Sequence, residues 1–220
     1  MKILLTGANG YIGKRLLPLL LDAGHEVVCI VRDKDRFHPD IKSLSKIEII
    51  EADLLNRKTL KNIPKDIQVA YYLVHSMSTS NDYFLQEQYC AINFREALIN
   101  TDVKQVIYLS GIVNEELLSE HLRSRNNVEL QLAKGHFKLT TLRAGIIIGS
   151  GSASFEIIRD LVEKLPLMVA PIWLNTKCQP IGVGDVLKFL FGVLLNERTF
   201  DKNYDIGGPD ILTYKEMLLG

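Results

Sequence analysis

Residues 6–13 of this chain read TGANGYIG, with a glycine at every third position from Gly7 to Gly13. The motif follows a short apolar run at 3–5 and opens a helix-length stretch, 11–23, that Gly24 closes. This strand–turn–helix setting makes the glycine pattern more specific than it would be elsewhere. We therefore predict that the chain begins with a β-strand and a helix joined by a tight glycine turn.

Each glycine of such a turn has its own physical task. One lets the strand turn sharply, one lets backbone N–H groups approach a diphosphate, and one lets the helix pack closely on the strand. The helix N-terminus adds unpaired N–H groups and the positive end of its dipole. The residues predicted to hold the diphosphate of a dinucleotide are Gly7, Asn9, Gly10, Tyr11, Ile12 and Gly13. The competing interpretation is a purely structural turn.

Apolar strand-like runs alternate with helix-length segments along the chain, as is typical of β-α units that feed a parallel sheet. Strands are predicted at 2–6, 25–32, 47–51, 69–74, 105–110 and 140–148. Helices are predicted at 11–23, 83–100, 117–133, 155–165 and 186–195, and after an N-cap at Thr213. The predicted fold class is α/β: a Rossmann-type, doubly wound, mainly parallel sheet flanked by helices, with a small C-terminal substrate-side region.

The length of 220 residues, 47% of them hydrophobic, suits one substantial core. We predict a single domain over 1–220, with substrate-side segments at about 149–182 and 207–220. The apolar segment 186–195 is expected to be deeply buried, with a subunit contact as the alternative. Apolar residues close to Gly220 predict a longer protein with a further C-terminal domain, or a homodimer.

Composition argues against several classes of function. The formal net charge is zero and no basic patch stands out, so we expect no nucleic-acid partner. The first apolar run ends at Thr6, too soon for a signal peptide or a membrane span, which predicts a cytoplasmic protein. Three scattered cysteines, Cys29, Cys90 and Cys178, form no Cys-x-x-Cys pair, so no metal site is expected.

The end of the second predicted strand, about 20 residues after the glycine loop, is where such proteins distinguish the two nicotinamide dinucleotides. Arg32 stands there, and its guanidinium can bind a 2′-phosphate, with Lys34 and Arg36 adding positive charge. This favours NADP(H). The alternative is that Asp33 binds the ribose hydroxyls, in which case the cofactor is NAD(H).

Further cofactor contacts are predicted where later strands end. Asp53, followed by Leu54, can accept a hydrogen bond from the adenine amino group, or can simply form an Asx turn or helix N-cap. His75, Ser76 and Ser110 follow the fourth and fifth strands, on the side where the nicotinamide would lie. For His75, a structural hydrogen bond is the competing role.

Four motifs together resemble the atypical and extended short-chain dehydrogenase/reductase superfamily. They are TGANGYIG at 6–13, ADL at 52–54, YLSG at 108–111 and LRAG at 142–145. Within this superfamily the chain is most similar to NmrA-like and epimerase-like NAD(P)-binding proteins. That closer likeness rests on HLRSR at 121–125, GSGSASFE at 149–156, QPI at 179–181 and VGDV at 183–186.

The resemblance implies a serine at the end of the fifth strand and a Tyr-x-x-x-Lys pair on the next helix. Ser110 matches the serine, but no tyrosine lies between Tyr108 and Tyr204. His121 and Arg125 stand at about the right place, four residues apart. Either they replace the pair, with His121 as acid/base and Arg125 at the ribose, or they are surface residues and the chemistry is lost.

These two interpretations of His121 and Arg125 lead to two possible functions. The first is an oxidoreductase or epimerase-like enzyme that acts on a carbonyl or alcohol with Ser110, His121 and Arg125 as candidate catalytic residues. The second is a non-catalytic NADP(H)-binding redox sensor or assembly factor of the NmrA type. The substrate is not specified by the sequence, since Arg143 can bind an anionic group or merely pair with a carboxylate.

Overall fold

A parallel β-sheet forms the middle layer of the structure, a computed structural model that describes residues 1–39, 44–75, 83–112, 120–152, 156 and 172–219. Its strands and those of two small sheets are, in chain order, β1 Lys2–Thr6, β2 Glu26–Val31, β3 Ile47–Glu51, β4 Val69–Tyr72, β5 Gln105–Gly111, β6 Lys138–Ala144, β7 Ile147–Ile148, β8 Lys177–Cys178, β9 Ile181–Gly182, β10 Lys202–Ile206 and β11 Leu212–Thr213. The described α-helices are α1 Tyr11–Asp22, α2 Tyr83–Ala97, α3 Glu120–Leu132, α4 Val183–Gly192 and α5 Tyr214–Leu219. Short 3-10 helices lie at Leu44–Lys46, Arg57–Asn62, Ile172–Asn175 and Glu197–Thr199.

The strands of the main sheet follow the order β10-β6-β5-β4-β1-β2-β3, and the pairings between them are parallel. From β1 the chain adds strands first on one side, through β2 and β3, and then on the other side, beginning with β4. At this switch point Ile3 of β1 lies beside Val27 of β2 and Val69 of β4. In open α/β sheets ligands bind at the carboxyl ends of the strands next to such a switch point. The predicted doubly wound, parallel fold is confirmed, and it places the candidate site beyond Thr6.

Helices cover both faces of the sheet. Because side chains alternate across a strand, Leu5 faces one layer and Leu4 the other, and both are fully buried. The first layer packs α1 and α4 against the sheet through Leu16, Leu17, Leu20, Val186 and Leu190. The second packs α2 and α3 through Ala91, Phe94, Leu98, Val128 and Leu132.

The helix α1 ends as its sequence predicts. Gly24 has a φ of +85°, a left-handed backbone conformation that side chains disfavour. The His25 N–H donates to the Leu20 carbonyl at 3.1 Å, and the Gly24 N–H donates to the Leu21 carbonyl at 2.9 Å. This pair of bonds is the Schellman motif, which satisfies the last carbonyls of a helix.

The helix α4 is buried on one face only. Val186 and Leu190 are fully buried, whereas Phe189 is 44% exposed and Phe191 is 38% exposed. The expectation of deep burial throughout 186–195 is therefore wrong for its outer face. The Tyr71 hydroxyl donates to the Leu190 carbonyl at 2.9 Å, which joins the buried face to β4.

The prediction of one continuous strand over 140–148 is also wrong. β6 ends at Ala144, and Ile147–Ile148 forms β7 of a separate two-stranded sheet with β9. Between them the Ile146 carbonyl accepts a hydrogen bond from the Ile181 N–H at 2.9 Å. The apolar run continues past the break although Ile147 and Ile148 are only half-buried, so hydropathy alone does not reveal where the chain leaves the main sheet.

Sequence analysis missed β10, which pairs with β6 at the edge of the main sheet. Four of its five residues are exposed, so KNYDI contains no apolar run that would mark a strand. An edge strand forms hydrogen bonds along one side only and needs little apolar surface.

The C-terminal helix begins as predicted. Thr213 Oγ1 accepts from the Glu216 N–H at 3.1 Å, and a Glu216 carboxylate oxygen accepts from the Thr213 N–H at 2.7 Å. This reciprocal pair is a capping box. The predicted helix at 155–165 lies outside the described residues except for Glu156, as do positions 117–119 of the helix that the structure begins at Glu120.

Candidate functional site

The loop between β1 and α1 passes very close to other backbone. Gly7 has a φ of +68°, and a Cβ placed on it would lie 2.6 Å from the Leu73 carbonyl oxygen. A Cβ on Gly13 would lie 2.9 Å from Ala8 Cα and would collide with the Gly7 carbonyl oxygen. Backbone atoms in a packed interior cannot move aside as the end of a side chain can. Both positions therefore require glycine.

The first turn of α1 has no side-chain cap. Gly10 is the N-cap residue, and its N–H donates to the Gly7 carbonyl at 2.8 Å. The first N–H groups of any α-helix lack intrahelical acceptors. Those of Tyr11, Ile12 and Gly13 can therefore donate to an anion, which the positive end of the helix dipole also favours.

The side chains of Thr6 and Asn9 hold this loop in place through hydrogen bonds to distant parts of the chain. Thr6 Oγ1 donates to the Tyr71 carbonyl at 3.0 Å and accepts from the Leu73 N–H at 3.2 Å, which joins β1 to β4 at the switch point. Asn9 Nδ2 donates to the Arg36 carbonyl at 3.3 Å. This second bond connects the glycine loop to the segment that follows β2.

After β2 the exposed cation Arg32 stands next to Asp33, a carboxylate that already has partners. Asp33 Oδ1 accepts from the Asp35 N–H at 2.9 Å, and its Oδ2 pairs with Arg36 Nε at 3.2 Å. Arg32 is exposed, and in the part of the chain that the structure describes no hydrogen bond or ion pair engages its guanidinium. Both carboxylate oxygens of Asp33 therefore already have partners within their own turn.

Asp53 forms the Asx turn that was one of its two predicted roles. Its Oδ1 accepts from the Leu55 N–H at 3.0 Å. The Leu54 side chain is buried in the core, while its carbonyl accepts from Asn93 Nδ2 at 2.8 Å. Asn93, on α2, is a positioning residue that sequence analysis missed, because nothing local links it to a loop 39 positions earlier. An adenine contact by Asp53 stays a prediction.

The carboxyl ends of β4 and β5 bring together His75, Ser110 and the side of α3 that carries Arg125. His75 Nε2 lies 2.9 Å from the Leu109 carbonyl, so this nitrogen carries the proton and donates it. Ser110 is 3% exposed, and its hydroxyl has no hydrogen-bond partner among the described residues. Ser76 lies outside the described residues, and so does the side chain of His121.

Burial lowers the pKa of His75 to about 3, with a smaller lowering from the charge of Arg125. The ordinary value for an unfolded chain is about 6.5. Between pH 6.5 and 3 the unfolded chain therefore binds a proton that the folded protein does not, so the contribution of His75 to stability is complete above pH 6.5 and falls with pH below it.

We predict that His75→Gln makes the protein less sensitive to acid. A glutamine can still donate to the Leu109 carbonyl but does not titrate. Urea unfolding between pH 7 and 4 should show a steeper loss of stability in the wild type than in the variant. His136→Gln, at an exposed histidine, is the matched control and should retain the wild-type slope. Parallel wild-type and His75→Gln profiles would show that His75 does not titrate in this way.

Arg143 is paired within the protein. Its Nη2 lies 2.9 Å from Glu129 Oε1 and its Nε lies 3.2 Å from Glu129 Oε2, a bidentate ion pair between β6 and α3. Asn203 Nδ2 donates to the same carboxylate at 2.9 Å. Arg143 therefore forms the predicted pair with a carboxylate, which was the alternative to binding an anionic group of the substrate.

The loop at 149–152 rests on the first turn of α1. Arg15 stacks over the Tyr11 ring at 3.9 Å and donates to the carbonyls of Tyr11 at 3.0 Å and Ser150 at 2.8 Å. A Cβ on Gly149 would lie 2.5 Å from the Tyr11 hydroxyl. The four-residue spacing of Tyr11 and Arg15 on a helix was the available signal for their contact, but nothing in the sequence pointed to Ser150.

Among the residues that the structure describes, no helix combines the length and the apolar character that crossing a bilayer requires.

The chain belongs to a family of NAD(P)H-binding domains, which it matches over residues 7–144. The matched region runs from the glycine loop to the last residue of β6. It includes the residues after β2, β4 and β5 from which the candidate site has been built.

Relatives of this chain include a reductase and a subunit of NADH dehydrogenase. It is 22% identical to the chloroplastic divinyl chlorophyllide a 8-vinyl-reductase of Arabidopsis thaliana, over 95% of this chain and 54% of that protein. It is 20% identical to the mitochondrial NADH dehydrogenase (ubiquinone) 1 alpha subcomplex subunit 9 of Dictyostelium discoideum, over 96% of this chain and 60% of that protein. The chain spans little more than half the length of these curated relatives.

The fold is shared with NAD-dependent epimerases. The crystal structure of UDP-glucuronic acid 4-epimerase from Bacillus cereus with NAD superposes with a TM-score of 0.76 at 22% identity, over 99% of this chain and 80% of that one. The predicted likeness to NAD(P)-binding proteins is confirmed at the level of the family, and the likeness to epimerases at the level of the fold. The NmrA-like part of that interpretation stays a prediction.

Proposed function

We propose that this chain binds NADP(H) on its glycine loop and acts as an oxidoreductase on a carbonyl or alcohol. The observation that carries the proposal is the backbone geometry of this loop. Gly7 and Gly13 lie where any side chain would meet neighbouring backbone, which allows the tight turn, and the uncapped N–H groups at the start of α1 are left to donate. A diphosphate needs close approach to backbone amides, so the residues present fit this group.

Bound nicotinamide supplies hydride transfer, and the protein supplies binding and orientation. Asn9 would hold the loop in its binding conformation through the Arg36 carbonyl. Asp53 and Leu54 would line the adenine side. His75, Ser76 and Ser110 would line the nicotinamide side, with the neutral His75 ring shaping the pocket and the Ser110 hydroxyl orienting a substrate oxygen.

The preference for NADP(H) over NAD(H) rests on how Arg32 and Asp33 differ. Both oxygens of Asp33 already accept hydrogen bonds or an ion pair. Ribose hydroxyls would have to share these oxygens with the Asp35 N–H and with Arg36. The exposed guanidinium of Arg32 meets no described carboxylate, and it can bind a 2′-phosphate without breaking an existing interaction.

His121 is the proposed acid/base, because an imidazole titrates near neutral pH and its position corresponds to the missing tyrosine. We expect His121→Phe to reduce turnover at least about a hundredfold, as loss of a general acid/base does, while the Kd for NADPH stays within about twofold. Oxidation of NADPH at 340 nm with a panel of ketones, aldehydes and quinones measures the rate, and fluorescence titration measures the Kd. An unchanged rate would remove His121 from the mechanism.

A second function is favoured by one specific observation. The Tyr-x-x-x-Lys pair is absent, and burial keeps His75 neutral with its Nε2–H bound to the Leu109 carbonyl, so His75 is a poor replacement for the tyrosine. A relative in Dictyostelium is named as a subunit of NADH dehydrogenase. The alternative is therefore a non-catalytic NADP(H)-binding sensor or assembly factor. Tight NADPH binding without turnover on any member of the panel would favour it.

A further inference from the structure

Arg125 is a partly buried cation near the carboxyl end of β5. Its backbone carbonyl accepts a hydrogen bond from the Tyr108 hydroxyl at 3.4 Å, which fixes this turn of α3 against the strand. Within the described ranges, no carboxylate and no hydrogen-bond acceptor engages its guanidinium. A charge that is partly removed from water and lacks a partner favours binding of an anion.

The titratable groups that face Arg125 from β4 and β5 are neutral. The rings of His75 and Tyr108 lie with centroids 6.0 Å apart. Burial keeps the pKa of His75 far below neutrality, and burial raises the pKa of Tyr108 above its ordinary value, against a smaller lowering from the nearby Ser110 hydroxyl. Neither side chain can therefore balance the charge of Arg125.

A second polar group on the same side of the sheet is unsatisfied. Ser110 is 3% exposed, and its Oγ makes no hydrogen bond of ordinary geometry within the described part of the chain, although it lies close enough to the Tyr108 hydroxyl to offset slightly the rise that burial causes in the pKa of that phenol. Ser110 and Tyr108 are two residues apart on β5, so their side chains point to the same face. The Tyr108 hydroxyl directs its own bond to Arg125. The Ser110 hydroxyl is thus left as a donor in the region of Arg125.

Two other arginines, Arg143 and Arg57, differ from Arg125 because each has a carboxylate partner. Arg143 forms a bidentate pair with Glu129, and Arg57 Nη1 lies 2.5 Å from Glu96. Each of these cations has a carboxylate partner, Arg143 in a largely buried pair and Arg57 at the surface. Arg125 is more buried than a solvated surface arginine such as Arg123, yet it has no such partner among the described residues.

We infer that Arg125 and Ser110 bind a carboxylate group of the substrate. A guanidinium presents paired N–H groups that match the two oxygens of a carboxylate, and the serine hydroxyl adds a third donor. This inference rests on the proposed function, which places the nicotinamide at the same strand ends. It narrows the substrate from any carbonyl or alcohol to an oxo acid or a hydroxy acid.

The test is ligand-observed ¹⁹F NMR with 4-fluorobenzoate and 4-fluorobenzamide, which are similar in shape and differ in charge. Protein with and without saturating NADP⁺ is titrated with each probe. We expect the wild type to bind the benzoate at least about fivefold more tightly than the amide. Arg125→Met should abolish this preference, Arg125→Lys should weaken it, and Arg123→Met, the matched control two residues away, should preserve it.

Cofactor affinity separates this inference from the proposed function. The Kd for NADPH, measured by fluorescence, should change less than twofold in Arg125→Met. If Arg125→Met weakens NADPH binding and leaves the benzoate preference intact, the cation serves the cofactor and the inference is overturned. Equal binding of both probes by the wild type also overturns it. If the wild type binds no NADPH, the proposed function fails, and the titration without NADP⁺ still decides the carboxylate site.

Discussion

Arg32→Asp should weaken NADPH binding by tenfold or more and leave NADH binding nearly unchanged. The change removes the guanidinium proposed to hold the 2′-phosphate and places a like charge beside that phosphate. A hydrogen bond to a charged group contributes about 1.5–3 kcal/mol, which corresponds to roughly a tenfold to hundredfold change in Kd. Fluorescence titration of the variant with both dinucleotides measures the two affinities. Because the Arg32 side chain is exposed, the fold should be unaffected.

Lys34→Asp is the matched control for this prediction. It changes the net charge by the same amount, two residues further along, at another exposed position. If Lys34→Asp weakens NADPH as much as Arg32→Asp does, the effect is long-range electrostatics and no specific contact is involved. Equal loss of NADPH and NADH in Arg32→Asp would contradict the proposed preference for NADP(H).

Gly13→Ala should cost about 3 kcal/mol of unfolding free energy and at least a hundredfold in NADPH affinity. The added methyl group meets the backbone of Gly7 and Ala8, so α1 must move away from the end of β1. Overpacking of this kind typically costs 1–3 kcal/mol or more. The same movement would withdraw the first N–H groups of α1 from the diphosphate. Urea unfolding and NADPH titration measure the two losses separately.

Two further glycine variants keep this prediction testable if Gly13→Ala does not fold. Gly184→Ala adds a methyl group where no atom lies within 4 Å, so it should keep both stability and binding. Gly10→Ala brings a Cβ to 3.1 Å from the Gly7 carbonyl, a milder contact. It should fold and bind NADPH more weakly than the wild type. Full affinity in Gly10→Ala or Gly13→Ala would contradict the proposed role of this loop.

Local patterns were sufficient to predict most of the main sheet and its connections. The glycine turn, the stop at Gly24 and the cap at Thr213 each depend on residues a few positions apart, and the structure confirms all three. β3 was predicted with the bounds that the structure shows. These features follow from backbone conformation and short-range hydrogen bonds, both of which a sequence displays directly.

Contacts between distant segments were not predictable in the same way. Asn93 holds the Leu54 carbonyl, Arg15 holds the Ser150 carbonyl, and Arg143 pairs with Glu129. In each case the partner is one of many chemically suitable residues, and only the tertiary structure selects it. The same holds for Asp33, whose role in its own turn with Arg36 weakens the argument for NAD(H) only once the geometry is known.

Both edges of the main sheet carry charged side chains. β10 at one edge contains Lys202 and Asp205, and β3 at the other contains Glu48 and Glu51. An unpaired strand is a template on which a second chain can add by backbone hydrogen bonding, and charges on that strand oppose such addition. Edge-to-edge aggregation of this fold is therefore disfavoured, and replacing these charges with apolar residues would remove that protection.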